Sequence, residues 1–300
     1  MLNDTRELPV WRSMLFVPVN VPKFVERAHE RGADAIILDL EDSIPPAEKA
    51  NARALVREAA PRVARNGADV VVRINRPLDL AVRDIEAAVM PGVAALMLPK
   101  VESASHVQLL AELVASVEAA RGVPVGQTKF LALIETPSAF EQAAEIARAD
   151  PRLVALSLGS EDFALEIGGA ADPEVLTYPK QRVAIAAIAA GLMPMGVIGS
   201  VADYSDREGY KAAVLRSRRF GFRGSSCIHP ALVPILNDGF TPSAVDLEHA
   251  RRVIAADDKA RAEGRGSAEL DGRMIDVPIV VKACRLIAMA EKIAARAKRG

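Results

Sequence analysis

Two acids, Glu135 and Asp162, set the chemistry open to this sequence. Each closes a short apolar run, KFLALI ahead of Glu135 and RLVALSLGSE ahead of Asp162. Carboxylates held on the rigid ends of neighbouring strands make a seat for a hard cation such as Mg²⁺, which typically takes one or two protein carboxylates and fills its remaining positions with other oxygens. A plain structural ion pair is the alternative. Three more acids, Asp39, Glu41 and Asp42, end the run ADAIILDLED and would orient waters around such an ion from behind, or serve structure alone, with Asp42 as a cap ahead of Pro45. Glu161 reads as a helix N-terminal charge or a contact behind the ligands. Arg73 alternates with apolar neighbours in VVVRIN, so its side chain is expected to face inward, where a guanidinium needs a carboxylate partner.

Other polar residues carry blander expectations. Lys100 and Glu102 are expected to pair with each other across a strand end. His229, before Pro230, reads as a cap. Nothing near Cys227 would activate a thiolate, so it reads as an inert core residue.

These residues need a scaffold that gathers strand ends. Eight apolar runs alternate with helical stretches, starting at 12–20, 33–42, 69–75, 93–103, 129–135, 152–162, 191–200 and 222–230. Near-continuous Val, Ile, Leu and Ala runs are the mark of parallel strands covered on both faces. Eight such units predict a (β/α)₈ TIM barrel, with its active site at the strand C-termini. An open doubly wound sheet is disfavoured because no glycine-rich phosphate fingerprint follows the first strand. Helices are predicted over 22–31, 45–65, 79–89, 103–121, 179–190 and 206–220, with one amphipathic helix between the fifth and sixth strands. The barrel is expected to fill residues 1–240. Residues 241–300 would form a helical extension, with a Gly-flanked loop around Gly264, Gly266 and Gly272 acting as a lid or an arm to a neighbouring subunit.

Composition narrows the function classes. With 38 Lys and Arg against 39 Asp and Glu, the formal net charge of −1 gives no overall nucleic-acid or membrane surface. The cluster Arg216, Arg218 and Arg219 reads as a solvated helix face. Two cysteines form neither a disulfide framework nor a zinc spacing, which fits a cytoplasmic setting. The start, MLNDTRELPVW, lacks an apolar stretch and predicts no secretory leader. The uncharged stretch 183–202 is rich in Ala and Gly and is interrupted by Pro194, so a helix followed by a buried strand is expected rather than a membrane span.

In order along the chain, RSMLFVP, ADAIILDLED, VVRIN, LPKVES, LIET, LGSEDFA, the IHP that follows GF, and GRMIDVP resemble the citrate lyase beta-subunit-like family, which includes malyl-CoA and citramalyl-CoA lyases. The resemblance spans nearly the whole chain. It implies a TIM barrel that uses Mg²⁺ to cleave or form a carbon–carbon bond in a 3-hydroxyacyl-CoA, giving a 2-oxo acid and an acyl-CoA, and that assembles as a trimer or hexamer. On this resemblance Glu135 and Asp162 are the metal ligands, with Glu135 also near the substrate. Arg73 binds substrate oxygens, Lys23 contacts the CoA-bearing substrate, and Phe16 is an aromatic beside it. Asp276 is the acid of a lid supplied by an adjacent subunit, acting on the proton at the acyl-CoA α-carbon, with Met274, Ile275, Val277 and Pro278 as apolar neighbours. Two departures stand out: Val19 replaces the usual Gly, which would let a ligand approach the backbone closely, and the segment MPMGVIGSVADYSD, on the rim of the site, runs two residues long. Both bear on substrate choice. A CoA-independent class II aldolase acting on 2-oxo acids, and a citrate lyase beta-type subunit using a carrier-protein-bound substrate, are the competing readings.

Overall fold

A computed structural model describes residues 7–198 and 206–298. The chain divides into two compact units, Met1–Phe240 and Thr241–Gly300. In the first, eight strands form one sheet: β1 (Ser13–Pro18), β2 (Ala35–Asp39), β3 (Asp69–Arg73), β4 (Val93–Leu98), β5 (Lys129–Ile134), β6 (Leu153–Leu158), β7 (Met193–Met195) and β8 (Ser225–Cys227). Each pairs in parallel with its sequence neighbour, and β1 pairs with β8. Between β7 and β8 a parallel bridge joins Met195 to Gly224, Gly196 N donates to Gly224 O at 2.8 Å, and Arg223 N donates to Pro194 O at 3.0 Å. The order is that of a (β/α)₈ barrel.

Around it lie α1 (Pro22–Ala28), α2 (Lys49–Val63), α3 (Leu78–Ala88), α4 (Ala104–Ala120), α5 (Pro137–Glu141), α6 (Ala143–Ile146), α7 (Ser160–Glu166), α8 (Pro173–Ala189), α9 (Arg207–Arg219) and α10 (Val233–Phe240). Strand residues alternate between two apolar layers, as the two-residue period of a strand requires. Leu15, Ile36, Leu38, Val70, Val72, Leu96 and Ala132 pack outward against the helices. Met14, Ile37, Val71, Met97, Leu131 and Leu133 fill the barrel, and Leu8 and Trp11 join that inner cluster beside the strand N-termini. Trp11 Nε1 donates to Asp69 Oδ2 at 2.7 Å, so its polar edge is satisfied. Gly224 is required by this closure, because a Cβ there would lie 1.8 Å from Trp11 O.

Several boundaries differ from the sequence reading. The link between β5 and β6 carries two short helices, α5 and α6, in place of one. Helix α8 begins at Pro173 rather than near Pro179, because the Asp172 side chain caps Glu174 N and Val175 N and Pro173 occupies the first turn. Strands β7 and β8 are three residues each. The altered segment after β7 falls partly on residues 199–205, outside the described residues.

The second unit holds α11 (Ala244–Ala262), a hairpin of β9 (Ala268–Leu270) and β10 (Arg273–Ile275), and α12 (Val277–Ala297). A capping box of Ser243 and Asp246 starts α11. Helix α12 starts at Val277 because Asp276 caps it and Pro278 suits a first turn. Ala250, Val253, Ala260, Ile275, Val280 and Ala283 form its own small core. Among the described residues no helix is long and apolar enough to cross a membrane.

Candidate active site at the strand C-termini

The inner column of the barrel turns from apolar to polar at its C-terminal end. Two residues beyond inward-facing Ile37, Val71 and Leu133 come Asp39, Arg73 and Glu135. The strand ends hold them in step. Leu40 N donates to Arg73 O at 3.0 Å, Ile74 N to Met97 O at 3.2 Å, Val101 N to Leu133 O at 3.2 Å and Gly159 N to Ile134 O at 2.9 Å.

Arg73 is clamped. Its Nε and Nη2 donate to the two carboxylate oxygens of Asp39 at 2.6 and 2.7 Å, and Nη1 lies 3.0 Å from both Asp42 Oδ2 and Glu41 Oε2. The ring of Phe16 stacks under the guanidinium, 4.6 Å from its centroid. Burial favours a neutral Asp39, but the Arg73 bonds and those from Ser43 and Glu41 N outweigh it and hold the carboxyl below its ordinary range. The same pairing outweighs burial at Arg73 and raises its pKa. Arg73 therefore faces inward with carboxylate partners, and part of its five-donor fork is left for other oxygens.

Glu135 and Asp162 meet through Lys100. Lys100 N donates to Glu135 Oε2 at 2.5 Å. Its ammonium lies 2.9 Å from Glu41 Oε1 and 3.4 Å from Asp162 Oδ1. The expected Lys100–Glu102 pair does not form: Lys100 has φ 46°, a left-handed backbone that carries its side chain across the mouth. Glu102 pairs instead with Arg76 at 2.7 Å, and Arg76 Nε also holds Lys100 O at 3.1 Å. Asp162 lies in the first turn of α7, where the helix N-terminus favours an anion.

Glu135 is 3% exposed, and burial, with Asp162 and Glu41 adding like charge, pushes its carboxyl up to about 7. Burial likewise raises Glu41 against the pull of Arg73 and Lys100. Gly159 makes room for Glu135: a Cβ at 159 would sit 2.4 Å from Glu135 Oε1.

The remaining candidates are placed differently. Lys23 is exposed on α1 and lies over Phe24 at 5.1 Å, so its aromatic neighbour is Phe24 and not Phe16. Glu161 is exposed, and its charge acts on Lys180, a fully buried lysine of α8 that burial pulls down to about 7. Asp276 belongs to the second unit, where its Oδ1 accepts from Ile279 N at 3.4 Å as the α12 cap. Its neighbours Met274 and Val277 are 66% and 60% exposed. Val19 is buried in the outer apolar layer. Cys227 is buried and pushed up to about 12, consistent with an inert thiol. His229 caps a short turn by accepting from Ala231 N.

Residue type and spacing do not point to Lys49, Arg76 or Gly159 as site-builders, and they give Lys100 only as a strand-end residue expected to pair with Glu102. Lys49 Nζ donates to Leu40 O at 2.9 Å and Glu41 O at 2.6 Å. The signal for Lys100 was its place at a strand end; its partner depended on a backbone turn that no pattern announces.

The residues present fit a divalent ion. Among the described residues no three His, Cys, Asp or Glu side chains form a ready metal group. Two carboxylates suffice for Mg²⁺. Five carboxylates (Asp39, Glu41, Asp42, Glu135 and Asp162) share this mouth with the cations Arg73, Lys100 and Lys49, leaving a deficit of two positive charges when all are ionised. Glu41 Oε2 is buried and accepts no hydrogen bond, its charged contact being the ion pair with Arg73 Nη1 at 3.0 Å.

The sequence profile of the HpcH/HpaI aldolase/citrate lyase family matches residues 12–230. The chain belongs to this family. Citrate lyase subunit beta of Leuconostoc mesenteroides subsp. cremoris is 35% identical over 283 residues, covering 93% of each chain. The L-malyl-CoA/beta-methylmalyl-CoA lyase of Rhodobacter capsulatus is 34% identical over 302 residues, covering 93% of this chain and 94% of the other. The crystal structure of CitE from Mycobacterium tuberculosis, in complex with magnesium, acetoacetate and coenzyme A, superposes with a TM-score of 0.72 at 32% identity, over 93% of this chain and 97% of that one. The family resemblance read from the motifs is thereby shown, and its named relatives are lyases.

Proposed function

We propose that this member of the HpcH/HpaI family is a Mg²⁺-dependent carbon–carbon lyase acting on a 3-hydroxyacyl-CoA of the malyl- or citramalyl-CoA kind, giving a 2-oxo acid and an acyl-CoA. The observation that supports it is the mouth of the barrel, where Lys100 links Glu135 and Asp162 beside a clamped arginine. The CoA-bound relative of matching fold and near-equal length supports the thioester.

Glu135 and Asp162 would hold the ion. Bound there, Mg²⁺ supplies Lewis-acid polarisation of the substrate's carboxylate and adjacent oxygen. Asp39 and Phe16 fix the Arg73 plane so that its free N–H groups meet substrate oxygens without reorganising. Lys23, on the helix after β1, would meet the CoA-bearing end. Asp276 would donate the proton to the acyl-CoA α-carbon in cleavage and remove it in synthesis. In this reading Asp276 comes from a neighbouring subunit of a homotrimer or hexamer. The exposed apolar side chains of Met274 and Val277 are the kind that a subunit contact would cover. A cytoplasmic setting suits the free cysteines 227 and 284.

The test is product analysis by mass spectrometry with malyl-, citramalyl- and hydroxymethylglutaryl-CoA. Release of glyoxylate from malyl-CoA or pyruvate from citramalyl-CoA, each with acetyl-CoA, is expected, and hydroxymethylglutaryl-CoA, whose cleavage would give acetoacetate instead of a 2-oxo acid, serves as the contrast. A chain inert on every CoA ester but active on a carrier-protein thioester would be a citrate lyase beta-type subunit, a reading supported by the Leuconostoc relative. Activity on free acids alone would select the CoA-independent aldolase.

A further inference from the structure

Lys100 touches both proposed metal ligands by two different routes. Its main-chain N–H holds Glu135 Oε2 at 2.5 Å, and its ammonium stands 3.4 Å from Asp162 Oδ1. A third carboxylate, Glu41, receives the same ammonium at 2.9 Å. The backbone that allows this has φ 46°, a region that non-glycine residues rarely occupy and that tends to persist at functional sites because the surroundings enforce it. Here the surroundings are visible: Arg76 holds the Lys100 carbonyl, and Val101 N returns to the Leu133 carbonyl.

We propose that Lys100 is the positioning residue that sets the Mg²⁺ affinity of this site, its ammonium opposing the ion's charge at Asp162 while its left-handed backbone aims the N–H that fixes Glu135. The proposal rests on the reading that Glu135 and Asp162 are the ligands. Its physical basis is ordinary electrostatics. A tethered cation within a few ångströms of the ion repels it, and the partly buried setting screens that repulsion weakly. A site tuned this way binds Mg²⁺ less tightly than its carboxylates would alone. The backbone contact works in the opposite sense, since it orients Glu135 before the ion arrives.

The two halves separate by substitution. Lys100→Met removes the charge and keeps an unbranched side chain. Lys100→Gly removes the charge and accepts the left-handed backbone freely. Lys100→Val removes the charge but puts a β-branched residue where it is an outlier. Lys100→Arg keeps the charge. Mg²⁺ binding is measured by isothermal titration calorimetry at pH 8, with thermal unfolding in EDTA to confirm that each variant is folded. Lys100→Met and Lys100→Gly are expected to bind Mg²⁺ at least about tenfold more tightly than wild type. Lys100→Arg should stay close to wild type. Lys100→Val should bind more weakly than Lys100→Met. Wild-type affinity, or weaker binding, in a folded Lys100→Met or Lys100→Gly would overturn the charge role, and equal binding by the Val and Met variants would overturn the backbone role. A wild-type chain that binds no Mg²⁺ would sink the underlying ligand assignment itself, and Asp162→Asn serves as its independent control.

Discussion

Glu135 concentrates the energetics of the mouth in one side chain. Its pKa of about 7 lies above the ordinary 4.5 because burial and two neighbouring acids disfavour the charge. A raised folded-state value means that the folded chain binds this proton more tightly than the unfolded one. Without metal, stability from this group is fully present below about 4.5 and is lost as pH rises through about 7, by on the order of 3 kcal/mol. In EDTA the wild type should therefore lose melting temperature between pH 5 and pH 8 relative to Glu135→Gln, and Mg²⁺ should restore it at pH 8. Parallel melting curves for the two proteins would refute this. Gly159 offers a second test at this scale. In Gly159→Ala the new methyl displaces the Glu135 carboxylate, so Mg²⁺ affinity in calorimetry should fall by at least about tenfold. Unchanged affinity would mean that Glu135 is not a ligand. How much of the site could be read in advance follows residue by residue. Asp39, Arg73 and Glu135 were legible because strand alternation carries an inward apolar residue into an inward polar one two positions later. The partners of Lys100 and Glu102 were not, because a single left-handed φ redirected one side chain and freed the other for Arg76.

At the scale of elements, the mouth stays aligned because the opposite ends of the strands are pinned. Glu118, near the end of α4, is fully buried. It accepts from Gly126 N at 2.8 Å, Thr128 N at 2.7 Å and Arg152 Nη1 and Nη2 at 3.0 and 2.7 Å. One carboxylate thus ties a helix end to the starts of β5 and β6, the two strands leading to Glu135 and Asp162. Breaking a buried pair from one side leaves an uncompensated charge, so Glu118→Gln should cost about 3–5 kcal/mol in urea unfolding. A cost below about 1 kcal/mol would show that the pair is not holding the strands. This clamp escaped the sequence reading, since a Glu late in a helix looks like a solvated face. The strands themselves were legible as long apolar runs. Apolar spacing predicts one helix after β5 because it ignores the break at Gln142, and it places the start of α8 too late because the cap, Asp172, lies seven residues ahead of Pro179.

At the scale of the whole molecule, a small C-terminal unit follows the barrel in the chain, and its proposed contribution is Asp276. The boundary of that unit was legible as a change from βα repeats to helix and Gly-rich loop; its hairpin of three-residue strands was too short to leave a pattern. If Asp276 acts on a neighbouring subunit's barrel, two dead variants can rescue each other. Asp276→Asn mixed and reassembled with Asp162→Asn should recover part of the wild-type turnover, whereas each alone stays inactive. A mixture as inactive as its components would place Asp276 and the barrel it serves in the same chain, or remove Asp276 from the chemistry.

The most direct measurement of the central claim is the initial rate of 2-oxo acid release from malyl- or citramalyl-CoA as Mg²⁺ is titrated into EDTA-treated protein, for wild type and Asp162→Asn side by side. The account predicts a saturable Mg²⁺ activation for the wild type and a rate lower by at least about a hundredfold for the variant across the same range. A wild-type rate indifferent to EDTA, or an Asp162→Asn protein with the wild-type Mg²⁺ response, would contradict it.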